Sequence, residues 1–280
     1  MKHSRDTILT LSVFFSFVLL LYFVGYWLIF RTEQATPLML SVGLATVLTC
    51  IVRKKKLASL GWEWGQWKYI WMGCLIPLAI IFVAHLIIWT MGFGGFYNVE
   101  FLATQKESYN LIQWTDFKIL AFHIILTASV SAVVSIPSIL GEELGWRGLL
   151  VPELSKLMSF PMVALVSGLI WAVWHWPLVI NGLYGNSVTP LYYQLFFLTL
   201  SVVSSGIIMA YLRLKSKSLW PPVMYHMSWN IFTQKVFTPI TVSNPKSPWY
   251  IDEFGAVMAI MVFCVALYFL KKGMTEFDSN

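Results

Sequence analysis

Leu140-Gly141-Glu142-Glu143-Leu144-Gly145-Trp146-Arg147-Gly148-Leu149-Leu150-Val151-Pro152 sets two carboxylates and a guanidinium at the end of an apolar run that begins near Phe117. Charged groups are expensive near hydrocarbon, so such a cluster beside a membrane span marks a candidate functional site. Two later apolar segments each hold one histidine, His175 and His226, and Asn230 follows the second by one turn. A carboxylate, two imidazoles and a carboxamide on separate spans are the groups that hydrolysis inside a bilayer requires.

The 280-residue chain is 58% hydrophobic and only 11% charged. A soluble domain carries about 25% charged residues, so this chain cannot cover itself with water-compatible surface. The expected fold is all-α: a polytopic integral membrane protein of about eight transmembrane helices enclosing an intramembrane polar cavity. The formal charge of +6 is no nucleic-acid signal, because the charges flank the apolar runs. Cys50, Cys74 and Cys264 lie inside apolar segments without metal-ligand spacing and read as small reduced hydrophobes.

Outward from the central stretch, the spans are expected at Ile8–Phe30, Leu38–Val52, Trp67–Met91, Phe117–Leu150 with Pro137 as a bend, Pro161–Ile180, Pro190–Leu214, Trp220–Val236 and Gly255–Leu270. The first is too long for a signal peptide's apolar region of about 7–15 residues. The second is short for a ~30 Å hydrocarbon core. Gly92–Asp116 reads as a polar connection. The whole chain, 1–280, is one membrane domain, with residues 117–236 as its catalytic core and 1–116 as an N-terminal three-helix portion.

Charge sets the orientation. With the N-terminus inside, one face collects Lys2, Arg5, Arg53, Lys54, Lys55, Lys56, Lys68, Arg147, Lys156, Arg213, Lys215, Lys217, Lys271 and Lys272. The other holds Arg31, Lys106, Lys118, Lys235 and Lys246. That imbalance follows the positive-inside rule and places both termini in the cytosol.

Glu143 and Arg147 are four apart and share a helix face in the favourable acid-before-base order. Glu142 is rotated about 100° away, so one carboxylate is neutralised and the other left free. His226 and Asn230 also stand one above the other, and lipid offers them no partner. Interhelical hydrogen bonding alone would account for such a pair equally well. His85 and His123 lack such company and read as structural. No aspartate lies mid-span, which argues against an aspartyl intramembrane protease. There is no His-Glu-x-x-His, and Ser167-Gly168 lacks the preceding glycine of a rhomboid-type serine site, Leu165 standing there.

Glu142-Glu143-x-x-x-Arg147-Gly148, then His175 late in the next span, then His226-x-x-x-Asn230, resembles the CAAX protease and bacteriocin-processing family, in its Rce1-like branch. The resemblance covers about Phe117 to Val236 and departs at Trp171, where the family usually has phenylalanine. It implies a glutamic-type endopeptidase of a bacterial cell membrane, cutting near the cytosolic face. Glu142 and His175 would activate a water, His226 and Asn230 would stabilise the oxyanion, and Glu143 with Arg147 would support the helix and the charge balance. The implied partners are a peptide or protein substrate, lipidated in some family members, and membrane lipids; no cofactor is implied.

Two other readings use the same residues. Two His and one Glu form a recognised catalytic zinc set, here Glu142, His175 and His226. A non-catalytic bacteriocin-immunity, transport or partner-binding protein is the other, although no internal repeat of the kind common in transporters is evident. Depth is the difficulty. Glu142 is about 12 Å from Leu150 along its helix and His175 about 21 Å from Pro161, so they meet only if the second helix starts outside the hydrocarbon or tilts.

Overall fold

The computed structural model describes residues 2–278, excluding the side chains of Lys2 and His3. The fold is helical: α1 (Lys2–Thr32), α2 (Thr36–Val52), α3 (Trp67–Thr90), α4 (Val99–Ser108), α5 (Asp116–Leu154), α6 (Phe160–Ile180), α7 (Leu191–Ser216), α8 (220–240) and α9 (Ala256–Phe277). Among the described residues six of these, α1, α3, α5, α6, α7 and α9, are long and apolar enough to cross a membrane. The other two expected spans are weaker by length. α2 has 17 residues, and α8 is an α-helix (Trp220–Ile231) continued by a π turn (Phe232–Phe237) and one last turn.

α5 is likewise not uniform. π turns at Thr127–Ser131 and Leu144–Leu150 flank the α-helical Ala132–Glu143, which contains Pro137. A π turn inserts an extra residue and re-aims the side chains beyond it, commonly at functional sites. Glu142 and Glu143 end the α-helical part, and Arg147 lies within the wide turn that follows.

Residues 92–116 are more than a connection. Asn98 caps α4 by accepting from the Phe101 amide at 3.1 Å, and Glu100 and Lys106 stand in its first and last turns. A two-residue strand β1 (Gly95–Phe96) pairs antiparallel with β2 (Thr241–Val242). The polar composition of α4 hides it from a search for apolar runs.

The bundle has two distinct ends. At one, Arg53 pairs with Asp6, Lys55 with Glu153 at 2.9 Å and Lys215 with Glu276 at 2.8 Å. Arg213 Nη2 donates to the Leu60 carbonyl at 3.2 Å, and the Phe160 amide to the Asp278 carboxylate at 2.9 Å. At the other end lie the β1–β2 pair, the Lys106–Asp116 ion pair and a Tyr184–Phe254 ring contact. Of the fourteen cations grouped on one face by sequence, Arg147 is instead buried in the core, and the Lys2 side chain lies outside the described residues. Twelve remain at the first end against five at the second.

Glycine allows α2 to reach the site-bearing helix. A Cβ on Gly43 would sit 2.7 Å from the Gly141 carbonyl oxygen, and one on Gly141 would sit 3.0 Å from the Leu40 Cα. The two backbones touch one residue before Glu142. Gly206 and Gly168 bring α7 and α6 equally close. Small residues permit such approaches, and van der Waals packing drives helix association where lipid removes the hydrophobic drive.

Gly43→Val should force α2 away from α5. Overpacking of this kind costs roughly 1–3 kcal/mol, expected as a fall of several degrees in the thermal midpoint of the detergent-solubilised protein. Gly148→Ala, at a glycine whose Cβ would meet nothing closer than 3.6 Å, is the control, and an equal or larger fall there, or an unchanged midpoint for Gly43→Val, would leave the α2–α5 contact unsupported.

Candidate active site

Glu143 holds the site together. Its Oε1 accepts from Arg147 Nη1 at 2.9 Å and meets His226 Nδ1 at 2.8 Å, and its Oε2 also accepts from Arg147 Nη1, at 3.1 Å. The carboxylate is fully buried and Arg147 nearly so. The expected i to i+4 pair is present, but Glu143 does more than support its own helix. It fixes the imidazole of α8, and because a carboxylate can only accept, Nδ1 carries the proton in that bond. The other ring nitrogen, Nε2, is left for the cavity.

Glu142 points elsewhere, as its rotation requires. Its Oε2 accepts from the indole Nε1 of Trp171 at 2.8 Å. That bond gives Trp171 a role that sequence reasoning passed over as one aromatic replacing another, since phenylalanine has no donor. The same indole lies under Arg147, whose Cζ is 4.1 Å from the ring centroid. It also meets the His226 ring at 5.4 Å and the His175 ring at 5.9 Å. Trp171 therefore touches Glu142, Arg147, His175 and His226.

His175 is one turn on from Trp171 on α6, and its Nδ1 bonds the Trp171 carbonyl at 2.9 Å. A carbonyl accepts, so Nδ1 again carries the proton and Nε2 is free. Trp174 packs edge-on against this ring at 4.9 Å. The depth difficulty is resolved by where the helices end. α5 runs to Leu154 and α6 starts at Phe160, so Glu142 is about 18 Å and His175 about 22 Å from a common end.

The four expected catalytic residues converge. Glu142, His175, His226 and Asn230 all line one cavity of about 660 Å³, with Trp174, Leu178, Leu38 and Met39. A second, tight cavity of about 50 Å³ adjoins His175, His226 and Asn230 on the α7 side, where Ser201, Ser205 and Tyr225 complete it. Among the described residues no three of His, Cys, Asp and Glu are grouped to hold a metal ion. His85 and His123 are held in structural contacts, the first bonding the Ile81 carbonyl at 2.9 Å and the second the Lys235 carbonyl at 2.7 Å.

One carboxylate near the site was not anticipated. Glu253, in the loop before α9, lines the smaller cavity and accepts from Gln234 Nε2 at 2.7 Å. Its neighbour Asp252 has φ +61°. Burial and the adjacent Glu253 carboxyl push Asp252 up to about 7, and burial raises Glu253 as well. Only the fold brings this loop over the site, so no local spacing signals it.

The larger cavity runs from these residues to the surface between the end of α1 and the loop after α6, past Ile29, Phe30, Glu33, Ala35, Leu183 and Tyr184. Tyr184 packs on Phe254, which places this mouth at the end of the bundle with five cations.

Residues 119–232 match the family model for type II CAAX prenyl endopeptidase Rce1-like proteins. CAAX prenyl protease 2 of Methanococcus maripaludis is 29% identical over 161 residues, which cover 56% of this chain and 52% of that protein. The chain thus spans about half the length of the curated relative it matches.

Trp171→Phe keeps an aromatic face for Arg147 and removes only the donor to Glu142. A hydrogen bond to a charged group is worth about 1.5–3 kcal/mol, so peptide cleavage should slow roughly 10–100-fold with KM unmoved. An unchanged rate would show that the indole only fills space. Asp252→Asn should raise the thermal midpoint at pH 8. A raised carboxyl stays protonated in the fold while the unfolded chain ionises, so stability falls as pH rises from about 4 to about 7. The variant lacks that decline, which paired thermal scans across this range would detect.

Proposed function

We propose that this chain, a member of the Rce1-like CAAX endopeptidase family through residues 119–232, hydrolyses peptide bonds inside the membrane with a water activated by Glu142 and His175. The observation that carries the proposal is the convergence of Glu142, His175, His226 and Asn230 on one cavity.

The hydrogen-bond pattern assigns the roles. Trp171 holds one oxygen of Glu142, leaving the other to take a proton from water. Neutral His175, with its Nδ1 proton committed to the Trp171 carbonyl, offers the lone pair of Nε2 to the second O–H. A water held by both has its own lone pair directed at a substrate carbonyl. As that carbon becomes tetrahedral, Asn230 donates from Nδ2 to the developing oxyanion, and on collapse the C–N bond breaks while the proton taken up by Glu142 passes to the leaving amine nitrogen. His226 donates from Nε2 only as imidazolium, since its Nδ1 proton is given to Glu143. In that form Arg147, His226, Glu142 and Glu143 sum to zero charge, which suits a buried set. Preorganised donors in a site of low dielectric act without reorganisation cost.

The substrate is a polypeptide. An apolar wall of Ile29, Phe30, Leu38, Met39 and Leu178 along the cavity supports a cleavage segment with apolar flanks, such as one held in the bilayer or bearing a lipid. The relative's printed name speaks for a prenyl protease in that organism. The chemistry proposed for this chain needs no metal.

Glu142→Gln is isosteric and removes the base. Cleavage should fall by about 10²–10⁴-fold, the range for a general base, with the thermal midpoint held. Asn230→Ala should cost about 10²–10³-fold, as for one oxyanion donor. Cleavage by Glu142→Gln at the parental rate would exclude the mechanism. Loss of cleavage on chelation, regained with zinc, would return Glu142, His175 and His226 to a ligand role.

A further inference from the structure

We infer that the small pocket on the α7 side receives the side chain of a residue flanking the scissile bond, so that the substrate carries a small, hydrogen-bonding residue there, of the kind of serine or threonine. This rests on the proteolytic reading for the cut itself, and on the shape and chemistry of the pocket for the residue.

α7 builds the pocket with one stripe. Leu198, Ser201, Val202, Ser205 and Met209 recur at intervals of three and four, so they share a helix face, and all five line the pocket. Two serines within an apolar stripe leave space that larger residues would fill. Aromatic rings close the other sides: Trp171 from α6, and Tyr225 with Trp229 from α8, the last two stacked within 9° of parallel at 6.4 Å.

The polar groups of the stripe are not spent on the protein. Serines within helices commonly return the hydroxyl to a carbonyl of the preceding turn, as Ser216 does to Leu212 at 2.6 Å. Among the described residues Ser201 has no such partner, although it is only 2% exposed. Ser205 Oγ accepts from Tyr225 Oη at 3.5 Å, which leaves its own proton for an acceptor in the pocket. Buried polar groups are costly without partners, and an incoming hydroxyl supplies both a donor and an acceptor.

Size sets the limit. One water needs about 10–15 Å³ of cavity, so the 50 Å³ present takes roughly three or four atoms, enough for serine or threonine and too little for an aromatic ring. Water alone does not account for where the pocket lies. Glu142 lines the larger cavity and not this one, so water standing here is not beside the base. His175, His226 and Asn230 line both. A carbonyl polarised by His226 and Asn230 has a Cα within two bonds on either side, and one of these directs its side chain into the pocket. The other flank is left with the cavity of about 660 Å³, which imposes no comparable limit.

The full chain, purified in detergent, is given a library of peptides of known sequence, with Glu142→Gln as the blank and cut sites read by mass spectrometry. Aromatic residues should be depleted roughly 10-fold or more at one flanking position, as overpacking requires, and not at the other. At the restricted position serine should be cut about 2–10-fold faster than alanine, the range for one hydrogen bond. Ser201→Ala should abolish that preference, and Leu198→Ala or Met209→Ala should admit larger residues. No restriction at either flank, or a profile that none of the three variants moves, overturns the inference. A second readout needs no activity. In a background with Cys50, Cys74 and Cys264 replaced by alanine, Ser201→Cys should react with methyl methanethiosulfonate, and roughly 10-fold or more slowly with the benzyl reagent. Failure to react with either, or equal rates with both, overturns the inference whether or not the chain cleaves. The expected labelling with no cleavage of any peptide would sink the protease reading alone.

Discussion

A single buried carboxylate, Glu143, shared between Arg147 and His226, is the constraint on which the rest of the molecule turns. Its 2.9 and 2.8 Å contacts join α5 to α8. Stripping an ionised carboxylate of water costs several kcal/mol even after relaxation, and removing one partner of such a pair leaves a charge with no compensation. The two helices therefore cannot slide or rotate past one another without exposing that cost. Once Arg147 is committed to Glu143, its flat face is available to the Trp171 ring, and the edge of that ring reaches Glu142. One ion pair thus fixes the Glu142 carboxylate, adjacent in sequence, through a tryptophan on a third helix.

The backbone supplies what side chains alone could not. Glu142 and Glu143 must face different neighbours, and a regular helix provides that divergence. Arg147 must then turn back onto Glu143 while its carbonyl accepts from Arg213, and it does so within the π turn Leu144–Leu150. α8 likewise loosens into a π turn directly after Asn230 and Ile231. Both helices carry their site residues at the end of a regular α-helical stretch, Ala132–Glu143 and Trp220–Ile231, and widen directly beyond it. The contact of Gly43 with Gly141 closes the opposite side, so the irregular stretch is held from without by close packing.

Much of this was legible in the chain because it obeys the helical period. The spacing of Glu143 and Arg147 gave their pairing, the offset of Glu142 gave its separate fate, and His226 with Asn230 gave one polar face. What periodicity cannot state is which neighbour a face meets. It did not show His226 bonded to Glu143, or the indole of Trp171 bonded to Glu142, because both contacts cross between helices distant in sequence. α4 went unseen since its helix is built on caps and charges in place of an apolar run. Glu253 comes from a loop whose path over the site is decided by tertiary packing. The number of membrane spans was hardest for α2 and α8, where a short helix and a π-interrupted one depart from the length rule.

Hydrolysis within a bilayer has to reconcile two demands, a dry setting that strengthens electrostatics and a supply of water. The cavities divide these between them. On the α7 side the pocket of about 50 Å³ beside His175, His226 and Asn230 is walled by Trp171, Tyr225 and Trp229, and it admits little more than a reacting group. On the α1–α2 side the cavity of about 660 Å³ is lined by the polar groups of Glu33, Gln234, Asn230 and Glu142, with Glu33 and Gln234 exposed and Glu142 buried. In the mechanism proposed, Glu142 stands at the junction, able to draw water from the wider side while the oxyanion develops toward the tighter one. Burial of Glu143 and Arg147 keeps the field of their charges less screened there than it would be in water.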